Sequence, residues 1–203
     1  MIEERIKILH EAQQLFLSEG FYKTTMDDIA GRLKISKKTI YKHFVSKEEV
    51  VRESVLNFVT ENQKSFSDLV ESEHNAVEKC FRMFNYVGKM LVKINIKFLN
   101  DIRNFTPELW NQIDEMRTKI LSANMKIIIE QGQSEGFIIE TSSDILINVF
   151  VTSIRGIVNP ETIISNNLSP ANAAQSIIEV LMNGILTPKG KKIFSNLKAG
   201  ESK

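Results

Sequence analysis

The chain has 203 residues, of which 42% are hydrophobic and 25% are charged, and this balance excludes an intrinsically disordered protein. Its formal net charge is only +1, so overall charge neither favours nor excludes a nucleic-acid partner and local charge must decide. The single cysteine, Cys80, excludes an internal disulfide framework. No signal-peptide pattern opens the sequence, and the most apolar stretch, 145–158, is too short to span a membrane. We therefore expect a soluble, cytoplasmic protein.

Two helices are predicted at the start of the chain. Apolar residues at helical spacing predict an amphipathic helix over 2–19, which Gly20 is well placed to end. Thr25 can cap the free N–H groups of a second, short helix. Asp27 and Asp28 then suit the positive end of that helix's dipole.

Two further helix starts follow closely. Ser36 is typical of an N-cap residue, and the helix that it opens is expected to run to about His43. Ser46 and Glu49 form the pattern of a capping box. The helix that begins there is predicted to continue to about Val70, because no Gly or Pro interrupts it.

The rest of the chain is also predicted to be helical. The predicted segments are 75–103, 107–134, 143–158 and 170–186, separated by Pro, Gly or Asn-Pro signals. The Lys-rich tail from Pro188 is expected to be frayed. The predicted fold class is therefore all-α. It consists of an N-terminal three-helix domain, 1–46, joined by the long helix to a larger helical domain, 47–203.

A helix-turn-helix pattern occupies residues 25–44. Its two short helices are joined by three residues, 34–36, a length that sets two helices at a steep angle. The segment 32–47 holds six Lys or Arg and no acid. For the charges alone, a solvated lysine face is an equally good explanation. Geometry favours DNA, because three of these residues lie on the exposed side of the second helix, namely Lys37, Lys38 and Lys42.

Residues 8–50 resemble the DNA-binding domain of the tetracycline-repressor (TetR) family. The matched positions are Ala12, Leu15-Phe16, Gly20-Phe21, Thr24-Thr25, Asp28-Ile29-Ala30, Ser36, Thr39-Ile40-Tyr41-Lys42-His43-Phe44 and Ser46-Lys47-Glu48. The family often has Gly where this chain has Lys34 and Lys38. The first departure predicts strain in the turn, because Gly tolerates a positive φ far better than Lys. The second adds a charge facing DNA, so base preference cannot be copied from relatives.

The helix geometry and the resemblance together predict the DNA contacts. Thr25 stands where a helix N-terminus points at phosphate. Tyr41 and His43 match family positions that hold the phosphate backbone, although a partly packed surface histidine is the alternative for His43. Lys37 and Lys38 open the recognition helix and can read base edges, with phosphate contact as the open alternative for both. The predicted set is Thr25, Ser36, Lys37, Lys38, Thr39, Tyr41, Lys42, His43 and Lys47.

The middle of the chain is rich in Met and aromatic residues. Core packing explains any one of them, but as a set they suit a cavity for an apolar or amphipathic molecule, which the resemblance also implies. Arg155, Asn95 and Asn148 interrupt apolar runs, and we favour a structural role for the two asparagines. The predicted ligand-binding residues are Phe84, Met90, Phe98, Trp110, Met125, Phe150 and Arg155. No metal or cofactor is predicted.

The last two predicted helices, 143–158 and 170–186, are more apolar than half-exposed helices require. Pairing with the same helices of a second subunit would bury the surplus in a four-helix interface. The family resemblance implies this mode of dimerisation, and DNA with two half-sites requires a dimer.

These features predict a DNA-binding transcriptional regulator. We expect a repressor that binds a palindromic operator as a homodimer and is released by a small-molecule effector. The alternative is a regulator of the same fold that is controlled by a protein partner or acts as a co-activator. An enzyme is not expected, because the sequence has no phosphate-binding Gly loop, no CxxC or HExxH metal motif and no nucleophile elbow.

Overall fold

The structure is a computed structural model that describes residues 2–201. The helices, in chain order, are α1 (Ile2–Glu19), α2 (Met26–Leu33), α3 (Lys37–Tyr41), α4 (Lys47–Val70), α5 (Ala76–Val92), α6 (Ile96–Phe105), α7 (Pro107–Ser134), α8 (Ser143–Ile157), α9 (Pro160–Ser165), α10 (Pro170–Ile185) and α11 (Pro188–Glu201). The prediction of an all-α fold is confirmed.

The first four helices follow the predicted limits closely, except that α3 ends at Tyr41 rather than at about His43. Gly20 ends α1 with a φ of 85°, and its N–H donates to the Phe16 carbonyl at 2.9 Å. Lys34 ends α2 in the left-handed conformation, with a φ of 55°. That conformation costs a residue other than glycine about 1 kcal/mol, so the strain predicted for this turn is present.

The single helix predicted over 75–103 is wrong, because the chain breaks between α5 and α6. Asn95 explains the break. Its side-chain oxygen accepts from the Lys97 N–H at 2.9 Å and so caps α6, while its amide nitrogen donates to the Ser18 carbonyl at 2.9 Å. Asn95 therefore has the structural role that the sequence favours.

The frayed tail predicted from Pro188 is also wrong. Residues 188–201 form α11, which packs against α5. Phe194 provides the reason, since only 8% of it is exposed and its ring meets Phe81 edge-on at a centroid distance of 6.0 Å. Burying a phenyl group of this kind contributes about 2 kcal/mol to holding this Lys-rich helix against α5. The short helix α9 was not predicted either.

The chain divides into two compact units. The first contains residues 1–62 and 93–116, and the second contains residues 63–92 and 117–203. Both α4 and α7 contribute residues to each unit. The predicted boundary after residue 46 separates the expected DNA-binding domain from the expected effector-binding domain, and it stays a prediction.

Each unit has its own apolar core. Fully buried side chains in the first unit include Ile8, Phe16, Ile29, Ile40 and Phe44, and those in the second include Met125, Ile128, Ile129, Phe150 and Met182. Cys80 belongs to the second core, where burial raises the pKa of its thiol to about 12. Within residues 2–201, no helix is both long enough and apolar enough to cross a membrane.

Candidate nucleic-acid interface

The helix-turn-helix stands on a small apolar core in the first unit. Ile29 of α2 and Ile40 of α3 are fully buried, and Phe44 beyond α3 is 1% exposed. The opposite side of α3 is exposed at Lys37, Lys38, Tyr41 and Lys42. The core therefore holds α3 with its basic side chains directed to solvent.

Thr25 forms a complete capping box at the start of α2. Its hydroxyl accepts from the Asp28 N–H at 3.1 Å, and its own N–H and hydroxyl both donate to the Asp28 carboxylate at 2.7 Å. These hydrogen bonds lower the pKa of Asp28 below its ordinary value. Since the Thr25 hydroxyl already serves the helix, the remaining donors for a phosphate at this end are the first-turn N–H groups of α2.

Ser36 caps α3, the recognition helix. Its hydroxyl accepts from the Thr39 N–H at 3.0 Å and lies 2.8 Å from the Thr39 hydroxyl. The two hydroxyls thus form a pair at the helix start. This pair fixes the direction in which α3 leaves the turn and places the Lys37 and Lys38 side chains at the leading end of the helix.

Lys37 is held by an acid that the sequence analysis interpreted only as a helix-dipole partner. Its ammonium donates to the Asp27 carboxylate at 2.9 Å, and this hydrogen bond raises the pKa of Lys37. Both side chains are largely exposed. One of the three N–H donors of Lys37 is therefore engaged within the protein.

His43 is packed more closely than its predicted DNA contact suggests. Its side chain is 9% exposed, and its Nε2 lies 2.7 Å from the Glu4 carboxylate of α1. The same hydrogen bond lowers the pKa of Glu4. The start of α1 is held further by Arg5, which pairs with Glu53 and lies 4.8 Å from the centre of the Phe44 ring.

Lys47 belongs to a network that joins the start of α4 to the turn after α1 and to α6. Its ammonium donates to the Tyr22 carbonyl at 3.1 Å, and partial burial lowers the pKa of Lys47. The Tyr22 N–H donates to Asp101 at 2.9 Å, and the Tyr22 ring stacks on Phe105 at 4.1 Å. A side chain at Gly20 would place its Cβ 2.6 Å from the Asp101 carboxylate, so this turn tolerates only glycine.

The sequence analysis missed the partners of these cations. Asp27 was recognised only as a helix-dipole residue, and Glu4, Tyr22 and Asp101 were not singled out at all. Glu4 lies 39 residues from His43, and no local pattern connects the two. The available sequence signal was the apolar spacing in α1. This spacing predicts how the helix is oriented, but it does not show which of its polar residues contacts α3.

The predicted ligand-binding residues are divided between the two units. Phe98 and Trp110 fall in the first unit, while the other five fall in the second. Met125 and Phe150 are fully buried, and Arg155 is exposed. A cavity of about 740 Å³ lies within the second unit, and Phe84 alone of the predicted residues lines it.

Apolar side chains are exposed on α8 and α10, which pack against each other in the second unit. Ile145 is 60% exposed, Val149 is 43% exposed and Val180 is 71% exposed. By contrast, Ile178 is 8% exposed and lines the cavity. Thus α8 and α10 are only partly covered within the single chain.

A buried three-helix core that presents a capped, basic helix defines the class of helix-turn-helix DNA-binding proteins. Residues 8–53 match the family described as "Bacterial regulatory proteins, tetR family". This match identifies the helix-turn-helix segment as a DNA-binding domain of the TetR-family type.

Similar proteins extend this match over the rest of the chain. The uncharacterized HTH-type transcriptional regulator YvaF of Bacillus subtilis (strain 168) is 27% identical over 180 residues, which cover 88% of this chain and 94% of YvaF. IcaR of Staphylococcus aureus (strain Newman), a negative transcriptional regulator of the biofilm operon icaADBC, is 24% identical over 56% of this chain and 63% of its own. A TetR-family regulator from Agrobacterium tumefaciens has the same fold, with a TM-score of 0.70 and 16% identity over 91% of this chain and 98% of that chain. These relatives are named as regulators and not as enzymes.

Proposed function

We propose that the protein is a repressor that binds a palindromic operator as a homodimer and releases it when a small molecule binds the second unit. The observation that carries the proposal is the exposed basic face of α3 on its buried core. Two such helices, one from each subunit, would enter successive major grooves about one helical turn apart.

The nine predicted DNA residues take different roles in this proposal. Lys38, Tyr41 and Lys42 contact DNA directly from the exposed side of α3. Lys37 contacts DNA after leaving Asp27. The remaining residues act mainly by holding the helices in position, because their polar groups already have partners within the protein. These residues are Thr25, Ser36, Thr39, His43 and Lys47.

Dimerisation is proposed through α8 and α10. Their exposed apolar side chains, Ile145, Val149 and Val180, would be removed from water by the same helices of a second subunit.

A gel-shift titration over a range of salt concentrations tests DNA binding, with the DNA upstream of the protein's own coding region as the probe. If each subunit neutralises three or four phosphates, the dimer gives a slope of log affinity against log salt of about −5 to −7. Unrelated DNA of equal length is the control. A slope shallower than about −2, or equal affinity for the control, would contradict a specific operator clamp.

Release of the operator by a small molecule is tested through the thermodynamic linkage between ligand binding and DNA binding. A compound that releases the operator must bind more weakly when operator is present, by the same factor that it weakens DNA binding, typically 5–150-fold for a coupling of about 1–3 kcal/mol. Affinity measured with and without operator gives that factor. If every well-bound compound gives equal affinities, control by a protein partner replaces control by a small molecule.

A further inference from the structure

The cavity in the second unit has walls from three helices that are distant in sequence. Residues of α5, α10 and α11 line it, and both α10 and α11 pack against α5. Its volume of about 740 Å³ lies within the range that accepts a drug-sized molecule. The surface that carries the DNA contacts belongs to the other unit, so the cavity needs an explanation of its own.

One part of the cavity wall is aromatic. Phe81 and Phe194 meet edge-on at 6.0 Å, and Phe84 stacks on the buried Phe150 at 6.2 Å. These contacts hold the rings in place before any ligand arrives. Ile178 adds an aliphatic side chain to the same wall. The apolar part of a ligand would therefore meet a surface that is already formed.

Another part of the wall is charged, and its balance is positive. Lys89, Lys198 and Glu179 line the cavity. The Lys198 ammonium donates to the Glu179 carboxylate at 2.6 Å, so Glu179 neutralises one of the two lysines. Within residues 2–201, Lys89 has no ion pair or hydrogen bond with another side chain. One positive charge is therefore left over for a ligand.

We propose that this cavity binds an amphipathic organic anion. The apolar body of the ligand lies against Phe81, Phe84 and Phe194, and its anionic group lies at Lys89. Carboxamide side chains that also line the cavity supply neutral hydrogen bonds near that group, namely Asn85, Asn172 and Gln175. The assignment of such an anion as the effector rests on the proposed function, whereas the binding site itself does not.

The ligand class is tested with two probes that share a ten-carbon chain and differ in charge. Decanoate and decyltrimethylammonium are titrated into the full-length protein by calorimetry, below the concentrations at which either forms micelles. Decanoate is expected to bind as one molecule per subunit and decyltrimethylammonium at least about fivefold more weakly. Equal or tighter binding of the cation would overturn the anionic class, and binding of neither probe would overturn the site.

Gly88 offers a way to block the cavity without straining the helix. It lines the cavity from α5, and a Cβ added there would meet nothing within 4 Å. Gly88→Leu should fill the cavity and abolish decanoate binding, while Gly88→Ala should retain it. Both variants should keep the helical circular-dichroism spectrum of the parent. Unchanged decanoate binding in Gly88→Leu would place the ligand elsewhere and overturn the proposal.

Charge variants test the anionic end. Lys89→Gln should weaken decanoate about threefold to fivefold, as expected for an exposed ion pair. Lys189→Gln, an exposed lysine of α11 outside the cavity, should leave it unchanged. Glu179→Gln should strengthen decanoate binding, because it removes the negative charge from the cavity wall. A Glu179→Gln variant that binds decanoate more weakly would overturn the charge argument.

Operator affinity, measured separately, distinguishes this inference from the proposed function. Decanoate that binds in the cavity without changing operator affinity supports the site and removes the effector role. Intact operator binding without any decanoate binding overturns the site and leaves the repressor proposal standing.

Discussion

The recognition surface has a tethered half and an open half. Lys37 and His43 each contact a carboxylate of the protein, and Lys47 contacts a main-chain carbonyl. We call these three residues the tethered set. Lys38 and Lys42, in contrast, project from α3 as exposed side chains and form the open set.

The difference shows why a count of basic residues overstates DNA affinity. A tethered cation exchanges a partner in the protein for a phosphate, so only the difference between the two contacts adds to binding. An open cation loses only water and counterions, and the release of those counterions favours binding. Two adjacent lysines, Lys37 and Lys38, can therefore contribute unequally although their sequence positions look equivalent.

The largest expected effect comes from separating the subunits, because the tethered and open sets of one subunit then act without those of the other. Val180→Glu would place a carboxylate without a partner in the proposed apolar interface. We expect a monomer in analytical ultracentrifugation and operator binding weakened at least about 100-fold, because each half-site must then be bound alone. Ile6→Glu is the matched control, since Ile6 is also an exposed apolar residue, at 58%. A normal dimer in Val180→Glu would mean that the interface lies elsewhere.

The next largest effect on operator affinity is expected for Lys38 of the open set, in comparison with its neighbour Lys37 of the tethered set. Lys38→Ala should weaken operator binding about tenfold and make the salt slope shallower by about 2, since the dimer loses two phosphate contacts. Lys37→Ala should weaken operator binding less, because the variant without DNA also lacks the ion pair with Asp27. Gel shifts on one operator and on a panel of altered operators measure both affinity and base preference. Equal losses for the two variants would remove the distinction between the tethered and open sets.

A smaller effect, a gain in operator affinity, is expected when the Asp27 carboxylate that holds Lys37 is changed. Asp27→Asn should tighten operator binding about twofold to tenfold, because Lys37 is already released and one negative charge near the phosphates is gone. In this background, Lys37→Ala should cost as much as Lys38→Ala does in the parent. Asp68→Asn, an exposed acid of the second unit on α4, serves as the control. Weaker binding in Asp27→Asn would show that Asp27 positions Lys37 for DNA.

The smallest effect concerns the pH dependence of stability. Glu4 has a lowered pKa in the folded protein because its carboxylate accepts a hydrogen bond from His43. The stabilisation is therefore complete above the ordinary glutamate pKa and is lost as the pH falls through the lowered value. Thermal melts should show that Glu4→Gln is less stable than the parent at pH 6 and that the difference shrinks below pH 4, in line with ordinary glutamate titration near 4.3. A difference in stability that does not change with pH would assign the effect to packing rather than to the charge of Glu4.

Features set by neighbouring residues could be predicted from the sequence. The caps at Thr25, Ser36 and Ser46 use groups three residues away, so the limits of α2, α3 and α4 follow from local chemistry. The strain at Lys34 was predicted from the resemblance, because the family often has Gly at this turn.

Features set by tertiary contacts could not be predicted. The pair between Lys37 and Asp27 and the pair between His43 and Glu4 depend on how three helices pack. The order of α11 depends on the burial of Phe194, which a Lys-rich sequence conceals. The lining of the cavity could not be predicted, because aromatic content does not distinguish a fully buried ring such as Phe150 from a cavity wall such as Phe81.

The turn after α1 limits how this protein can evolve. Gly20 combines a φ of 85° with a position where any Cβ would collide with Asp101. A mutation at residue 20 alone therefore meets two penalties, and a shorter side chain at residue 101 relieves only the second. That relief would itself remove the acceptor of the Tyr22 N–H. Among descendants of this sequence, drift at residues 20, 22 and 101 should consequently be rare and should occur jointly when it does.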